Sequence, residues 1–349
     1  MKKIRVGIIG FGKMGRIRAE AIEQIDCAEL VKAYDTQSSA DGGVPFASSL
    51  DEILEDTSID AVFLCLPNHM NKACTVRALQ AGKHVFCEKP PAFTAAEVIQ
   101  IRETELRAQK KLMYGFNHRH HGAVQKMKSL VDSGEYGRVL WMRGRYGKSV
   151  DESYFDTWRA NKDLAGGGIL LDQGIHMLDL FNYIGGAGFD ENHAFVSSLY
   201  WNLEGVEDNV FAILKNRRTG LVASLHSTMT QWRHLFSLEV FMEAGYMVLN
   251  GLKTSSGTYG EEVLSIARNR TTAPAATWDD EEQHVYKIDT SWLTETQHFF
   301  NSIAENIPVQ IGSSSDALAV MKLVDDIYQN ERHEHENLNT KLKTIRLAK

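Results

Sequence analysis

The sequence is poor in cysteine, in proline, in net positive charge and in long apolar runs. Its four cysteines, Cys27, Cys65, Cys74 and Cys87, show no Cys-x-x-Cys spacing, and two lie in apolar runs that read as strands. Reduced intracellular thiols are therefore expected rather than a disulfide framework. Six prolines and 27 glycines among 349 residues exclude collagen and Pro-rich disordered chains. The 38 Lys plus Arg stand against 45 Asp plus Glu, a formal charge of −7. That balance gives no general attraction to a phosphate backbone or an anionic membrane, so neither nucleic acid nor membrane is an expected partner. No run is long enough to span a bilayer, and the apolar segment after Met1-Lys2-Lys3 is too short and Gly-rich for a signal core. A cytoplasmic location is the expectation.

What is present is ordinary globular material. With 43% hydrophobic and 24% charged residues, the chain can bury a core without staples, and at roughly 150 residues per domain its length predicts two domains. Short apolar runs at 4–9, 28–34, 61–66, 84–87 and 112–116 read as strands. Helical stretches at 14–27, 49–56, 69–81, 94–110 and 122–133 lie between or after them. Ser49 with Glu52, and Thr94 with Glu97, match the capping box. This alternation predicts a doubly wound α/β domain with a parallel sheet over residues 1–120.

From Val139 onward β-rich segments follow one another, at 139–146, 194–200, 209–214, 220–229, 236–242 and 246–250, with turn signals at 216–220 and at Ala244-Gly245. Residues 121–349 are accordingly expected to form an α+β domain with a large, open, mainly antiparallel sheet. Helices at 291–306 and 315–330 close it, ahead of a polar tail with His333 and His335.

Gly10-Phe11-Gly12-Lys13-Met14-Gly15 is a Gly-x-Gly-x-x-Gly string between a strand and a helix. Such a loop needs a tight turn at its first glycine, a bare backbone at its second and close helix-strand contact at its third, so that helix amides meet a pyrophosphate. The Lys13 side chain reads as solvated. Asp35, 20 residues beyond Gly15, is placed to accept hydrogen bonds from the adenosine ribose. It favours NAD over NADP, because a 2′-phosphate would meet like charge and Thr36, Gln37 and Ser38 bring no arginine.

Three further stretches carry candidate chemistry. Cys87-Glu88-Lys89-Pro90-Pro91 ends a predicted strand at the edge where ligands of an open α/β sheet bind. Lys89 reads either as a surface cation or as a fixed charge favouring the alkoxide that develops as hydride leaves a carbinol carbon. After Gly166-Gly167-Gly168, the spacing of apolar residues predicts a helix on which Asp172 and His176, four apart, project side by side. A carboxylate beside an imidazole suits a general base, and a helix-surface ion pair is the competing reading. Leu66-Pro67-Asn68-His69 follows a strand. There Asn68 serves either cofactor hydroxyls or the cap of the next helix. His118, His120 and His121 lack metal-ligand spacing and read as solvated loop residues, so no metal is expected.

Together these residues resemble the glucose-fructose oxidoreductase and inositol dehydrogenase family, Gfo/Idh/MocA. The resemblance rests on the Gly10 to Gly15 loop, Asp35, Leu66-Pro67-Asn68, Glu88-Lys89-Pro90, Gly115-Phe116-Asn117, Trp158-Arg159, and Gly166 to Gly168 leading to Asp172 and His176. It implies a Rossmann domain, a second α/β domain whose open sheet joins subunits into dimers or tetramers, and a catalytic trio of Lys89, Asp172 and His176. Glu88, Asn117 and Arg159 would lie near the nicotinamide half of the cofactor. Asn71 stands where the family often has histidine, which puts a role for His69 in doubt.

The family acts on cyclitols, sugars and nucleotide-linked sugars. Lys89, Asn117, Arg145, Tyr146, Trp158, Asp172 and His176 are the candidate substrate residues. Arg143, Arg145 and Lys148 either hold an anionic group on the sugar or form a solvated sheet face, and Tyr154, Trp158 and Trp232 either stack on substrate or pack. The expectation is an NAD-dependent dehydrogenase acting on a secondary hydroxyl. A glycoside-cleaving enzyme with retained NAD is the alternative, and a non-catalytic NAD-binding redox sensor would be expected to have a broken trio, which is intact here.

Overall fold

The computed structural model describes residues 3–37, 43–270 and 277–347, with side chains through residue 330. In chain order the elements are β1 (Ile4–Ile9), α1 (Lys13–Glu23), β2 (Ala28–Tyr34), α2 (Leu50–Glu55), β3 (Ala61–Leu64), α3 (Asn68–Gln80), β4 (His84–Glu88), α4 (Ala95–Ala108), β5 (Leu112–Gly115), α5 (Gly122–Asp132) and β6 (Val139–Ser149). There follow α6 (Lys162–Ala165), α7 (Ile175–Gly185), β7 (Glu191–Ser197), β8 (Asn209–Lys215), β9 (Val222–Thr228), β10 (Thr230–Met242), β11 (Gly245–Asn250), β12 (Glu262–Arg268), β13 (Glu282–Tyr286), α8 (Ser291–Ala304) and α9 (Ser314–Leu347).

The chain divides into two compact units. The first takes in Met1–Gly122, Asp163–Gly166 and Asp289–Ala319, and the second takes in Ala123–Lys162, Gly167–Ile288 and Val320–Lys349.

The first unit is built on a parallel sheet of order β2-β1-β3-β4-β5. Its inner strands are buried on both sides, with every residue of β3 and of the edge strand β5 buried, as a sheet covered on both faces requires. Phe63 and Phe86 stack across β3 and β4 with centroids 4.7 Å apart, and Phe299 and Phe300 of α8 complete that core. The Ser49 and Thr94 hydroxyls each accept from the amide three residues on, at 3.2 Å. The reciprocal half of each capping box reaches one residue further back, where Glu52 and Glu97 accept from the amides of Ser48 and Phe93.

The second unit holds an eight-stranded sheet of order β13-β12-β11-β10-β6-β9-β8-β7, antiparallel except for the β6/β9 pair. Gly144 on β6 leaves room for Met177 and Phe181 of α7, which lies on that face of the sheet. Two strands, β12 and β13, lie outside the sequence-derived set. The edge strand β13 is largely exposed and polar, and β12 buries residues on both faces, so neither alternates. The predicted helix through Asp172 and His176 is two structures: a π-helical turn over Leu170–Gly174, then α7. The closing helix extends well past residue 330. The side chains of His333 and His335 lie outside the described residues.

Candidate active site

At the carboxyl edge of the first sheet the phosphate loop has the shape its glycines require. Gly10 sits at φ +92°, and an added Cβ would collide with the Cys65 carbonyl; one at Gly15 would collide with the Gly10 carbonyl. Gly12 differs, since a Cβ there meets no atom of the chain within 4 Å. It is also the N-cap of α1, with no side-chain cap and no acidic residue in the first turn. The first-turn amides are therefore left to an external anion, and the bare backbone at Gly12 is where one approaches. Phe11 turns its ring into the core, 5.4 Å from Phe46, while its amide donates to Asp35 Oδ2 at 2.6 Å. The Gln37 amide donates to Asp35 Oδ1 at 2.8 Å, so the carboxylate is fixed beside the loop at the end of β2. Lys13 is exposed, Met14 is half-buried, and Ser38 lies outside the described residues.

Leu66 and Pro67 are half-buried beyond β3. Asn68 does not cap α3, whose N-cap is Pro67; its carboxamide donates to the Ala165 carbonyl at 2.8 Å. His69 is exposed. Two buried residues to which the sequence reading gave no role shape the next loop. Asn71 donates to the carbonyls of Glu88 and Pro90, at 3.3 and 2.8 Å, and so holds the backbone on either side of the half-buried Lys89. Arg18 is wholly buried and donates to Glu88 Oε1 at 2.8 Å and to Glu295 Oε2 at 2.6 Å, with its guanidinium 4.2 Å from the Phe86 ring. No local pattern announces either, because their partners are distant in sequence.

Asn117 is buried at the end of β5. Its carboxamide is engaged by Ser291 Oγ at 3.3 Å and His118 Nδ1 at 3.0 Å. The expectation of solvated histidines fails here: His118, His120 and His121 are each at most 5% exposed. A 3₁₀ turn over Asn117–His120 packs them inside the first unit, and burial, followed by the nearby His298, pushes the His120 pKa down to about 3. Among the described residues no group of three or more His, Cys, Asp and Glu side chains is arranged to hold a metal ion.

In the second unit the parity of β6 separates its basic residues. Arg143 and Arg145 are exposed on the face away from α7, where Arg143 forms a bidentate pair with Glu239. That removes Arg145 from the side on which Asp172 and His176 lie and corrects its place among the substrate residues. Tyr146 and Lys148 share the opposite parity. Tyr146 is buried, its ring centroid 6.4 Å from that of His176, and it hydrogen-bonds with Tyr259. Lys148 Nζ donates to Asp172 Oδ2 at 2.9 Å, and Arg159 Nε lies 3.8 Å from Asp172 Oδ1. His176 is 5% exposed, so the pair does not lie on a solvated helix surface. Tyr154 packs beneath the Lys148 ammonium, Trp158 carries the Arg159 guanidinium on its ring at 4.3 Å, and Trp232 is exposed.

Glu207 anchors this segment. Buried, it accepts from the Gly168 and Leu170 amides at 2.7 and 2.9 Å and from the Tyr328 hydroxyl at 2.8 Å. A Cβ at Gly168 would strike the Glu207 backbone, which explains the glycine. Burial raises the Glu207 pKa against these three donors.

Residues 4–116 match the Gfo/Idh/MocA oxidoreductase family's NAD-binding Rossmann fold, and residues 124–248 match the same family's C-terminal domain. The chain belongs to this family. It is 30% identical over 239 residues to 1,5-anhydro-D-fructose reductase of Ensifer adhaerens, covering 65% of this chain and 69% of that one. It is 28% identical over 271 residues to myo-inositol 2-dehydrogenase of Thermotoga maritima, covering 74% and 79%. The chain spans about half the length of several other curated relatives it matches. Its fold matches the crystal structure of aldose-aldose oxidoreductase from Caulobacter crescentus with a TM-score of 0.82 at 23% identity, covering 95% and 98% of the two chains. The NAD-binding Rossmann domain predicted from the glycine loop is thus present in this family member, and the described helices include none long and apolar enough to cross a membrane.

Proposed function

We propose that this chain is an NAD-dependent oxidoreductase that moves a hydride between the nicotinamide and a secondary hydroxyl of a sugar, sugar derivative or cyclitol. The observation that carries the reading is the loop at Gly12, open to an approaching phosphate and backed by uncapped helix amides, beside an Asp35 carboxylate oriented for a ribose. Asp35 favours NAD over the phosphorylated cofactor by charge.

NAD, when bound, supplies the hydride acceptor at nicotinamide C4. The residues of the chain supply the proton chemistry. His176 takes the hydroxyl proton, Lys89 polarises and orients the oxygen, and Asp172 supports the imidazole. Arg18 and Asn71 hold the Glu88 to Pro90 segment that carries Lys89, and Glu207 holds the turn that carries Asp172. Homo-oligomerisation through the open sheet of the second unit belongs to the same reading.

The test is nicotinamide absorbance during incubation with a panel of sugars, cyclitols and sugar nucleotides. Lys89→Met and His176→Asn should each lower turnover by roughly a hundredfold or more while NADH binding persists. Variants as active as the parent would overturn the assignment, and product analysis separates net oxidation from glycoside cleavage.

A further inference from the structure

Lys148 falls on the α7 side of β6 because strand parity sends every second side chain to one face. The β6–β10 register shifts between Thr230 and Leu235, near the end of β6. The Lys148 ammonium meets Asp172 Oδ2 at 2.9 Å with both side chains about four-fifths buried, at 22% and 18% exposure. A pair so placed is less screened than a surface ion pair. Arg159 lies farther off on the other carboxylate oxygen and is 39% exposed.

We infer that Lys148 is a positioning residue for the acid–base pair: its ammonium orients the Asp172 carboxylate and offsets the charge by which that carboxylate strengthens the hold of His176 on a proton. The inference rests on the roles assigned above to Asp172 and His176. A base that accepts a hydroxyl proton must be neutral to begin with, so a carboxylate acting alone would keep the imidazole protonated to higher pH. A cation on that carboxylate moves the working range down. The tyrosine hydroxyls facing the cluster stay neutral in that range. Burial pushes the Tyr146, Tyr154 and Tyr259 hydroxyls up, and burial followed by Lys148 itself pushes His234 down.

The experiment compares parent, Lys148→Met, Lys148→Gln and Lys148→Arg as full-length holoenzymes. The first readout is the His176 imidazole titration by NMR of labelled histidine, assigned by the signal lost in His176→Asn. The second is the pH profile of kcat/KM with D-glucose and myo-inositol as probes. Removing the cation should raise the His176 titration midpoint and the acidic limb by roughly half to one pH unit, and Lys148→Arg should restore both. An unmoved His176 titration in folded Met and Gln variants overturns the inference and leaves the oxidoreductase reading standing. A rate lowered equally at every pH likewise overturns it, as a merely structural role. A shifted titration without nicotinamide reduction from any sugar or cyclitol supports the electrostatic coupling and overturns the oxidoreductase reading instead.

Discussion

The His84 imidazole accepts a hydrogen bond at Nδ1 from the Lys111 amide at 3.0 Å, and burial, ahead of the charges on Lys110 and Lys111, pushes its pKa down to about 4. An unfolded histidine binds a proton below about pH 6.5, whereas this one stays neutral until about pH 4. Its contribution to stability is therefore complete above pH 6.5 and is lost as the solution is acidified towards pH 4. His120 acts in the same direction. The urea midpoint should fall between pH 7 and about pH 4.5. His84→Asn, which keeps an acceptor and cannot titrate, should flatten part of that fall; fluorescence-detected unfolding across the pH range checks it. Residues of this kind were hidden in the sequence. Arg18 finds Glu88 and Glu295 at separations of 70 and 277 residues, so no spacing rule could pair them. Gly10, Gly12, Gly15 and Asp35 were legible because one local turn and one strand end fix what each must do.

At the scale of elements, the phosphate loop separates two kinds of glycine. Gly15→Ala drives a Cβ into the Gly10 carbonyl and should cost about 1–3 kcal/mol of stability. Gly12→Ala meets no atom of the chain within 4 Å, so it should leave the melting temperature near that of the parent while weakening NADH affinity roughly tenfold or more. Calorimetry paired with NADH titration distinguishes them, and an unaffected affinity in Gly12→Ala would remove that residue from the cofactor site. The Rossmann alternation was readable because buried parallel strands and capped helices have local signatures. The π-helical turn was not, because Leu171, Ile175 and Leu178 keep a spacing that an ordinary helix also satisfies, so nothing local marks one turn as wider. Strands β12 and β13 escaped for the reasons of burial already given, and Glu207 escaped because its work is to accept amides 37 and 39 residues earlier in the chain.

At the scale of the whole molecule, the second sheet has one face on α7 and another that exposes Phe195 at 71%, Ile213 at 52% and Phe211 at 49%. Phe211 stacks ring on ring with His226 in that patch, centroids 3.9 Å apart. Exposed apolar groups clustered on one sheet face suit association with a second copy of the chain. Light scattering should show an oligomer for the parent and a monomer for the double variant Phe211→Asp, Ile213→Asp with unchanged circular dichroism. A monomeric parent would end the proposal.

The return of Asp289–Ala319 to the first unit has a consequence for synthesis on the ribosome. The parallel sheet leaves the exit tunnel first, yet the Glu295 carboxylate that neutralises Arg18 and the Phe299 and Phe300 rings that cover Phe63 and Phe86 emerge only after residues 123–288. Throughout that interval the nascent half has only Glu88 to face the Arg18 guanidinium and carries a bare aromatic surface, a state in which chains aggregate or recruit chaperones.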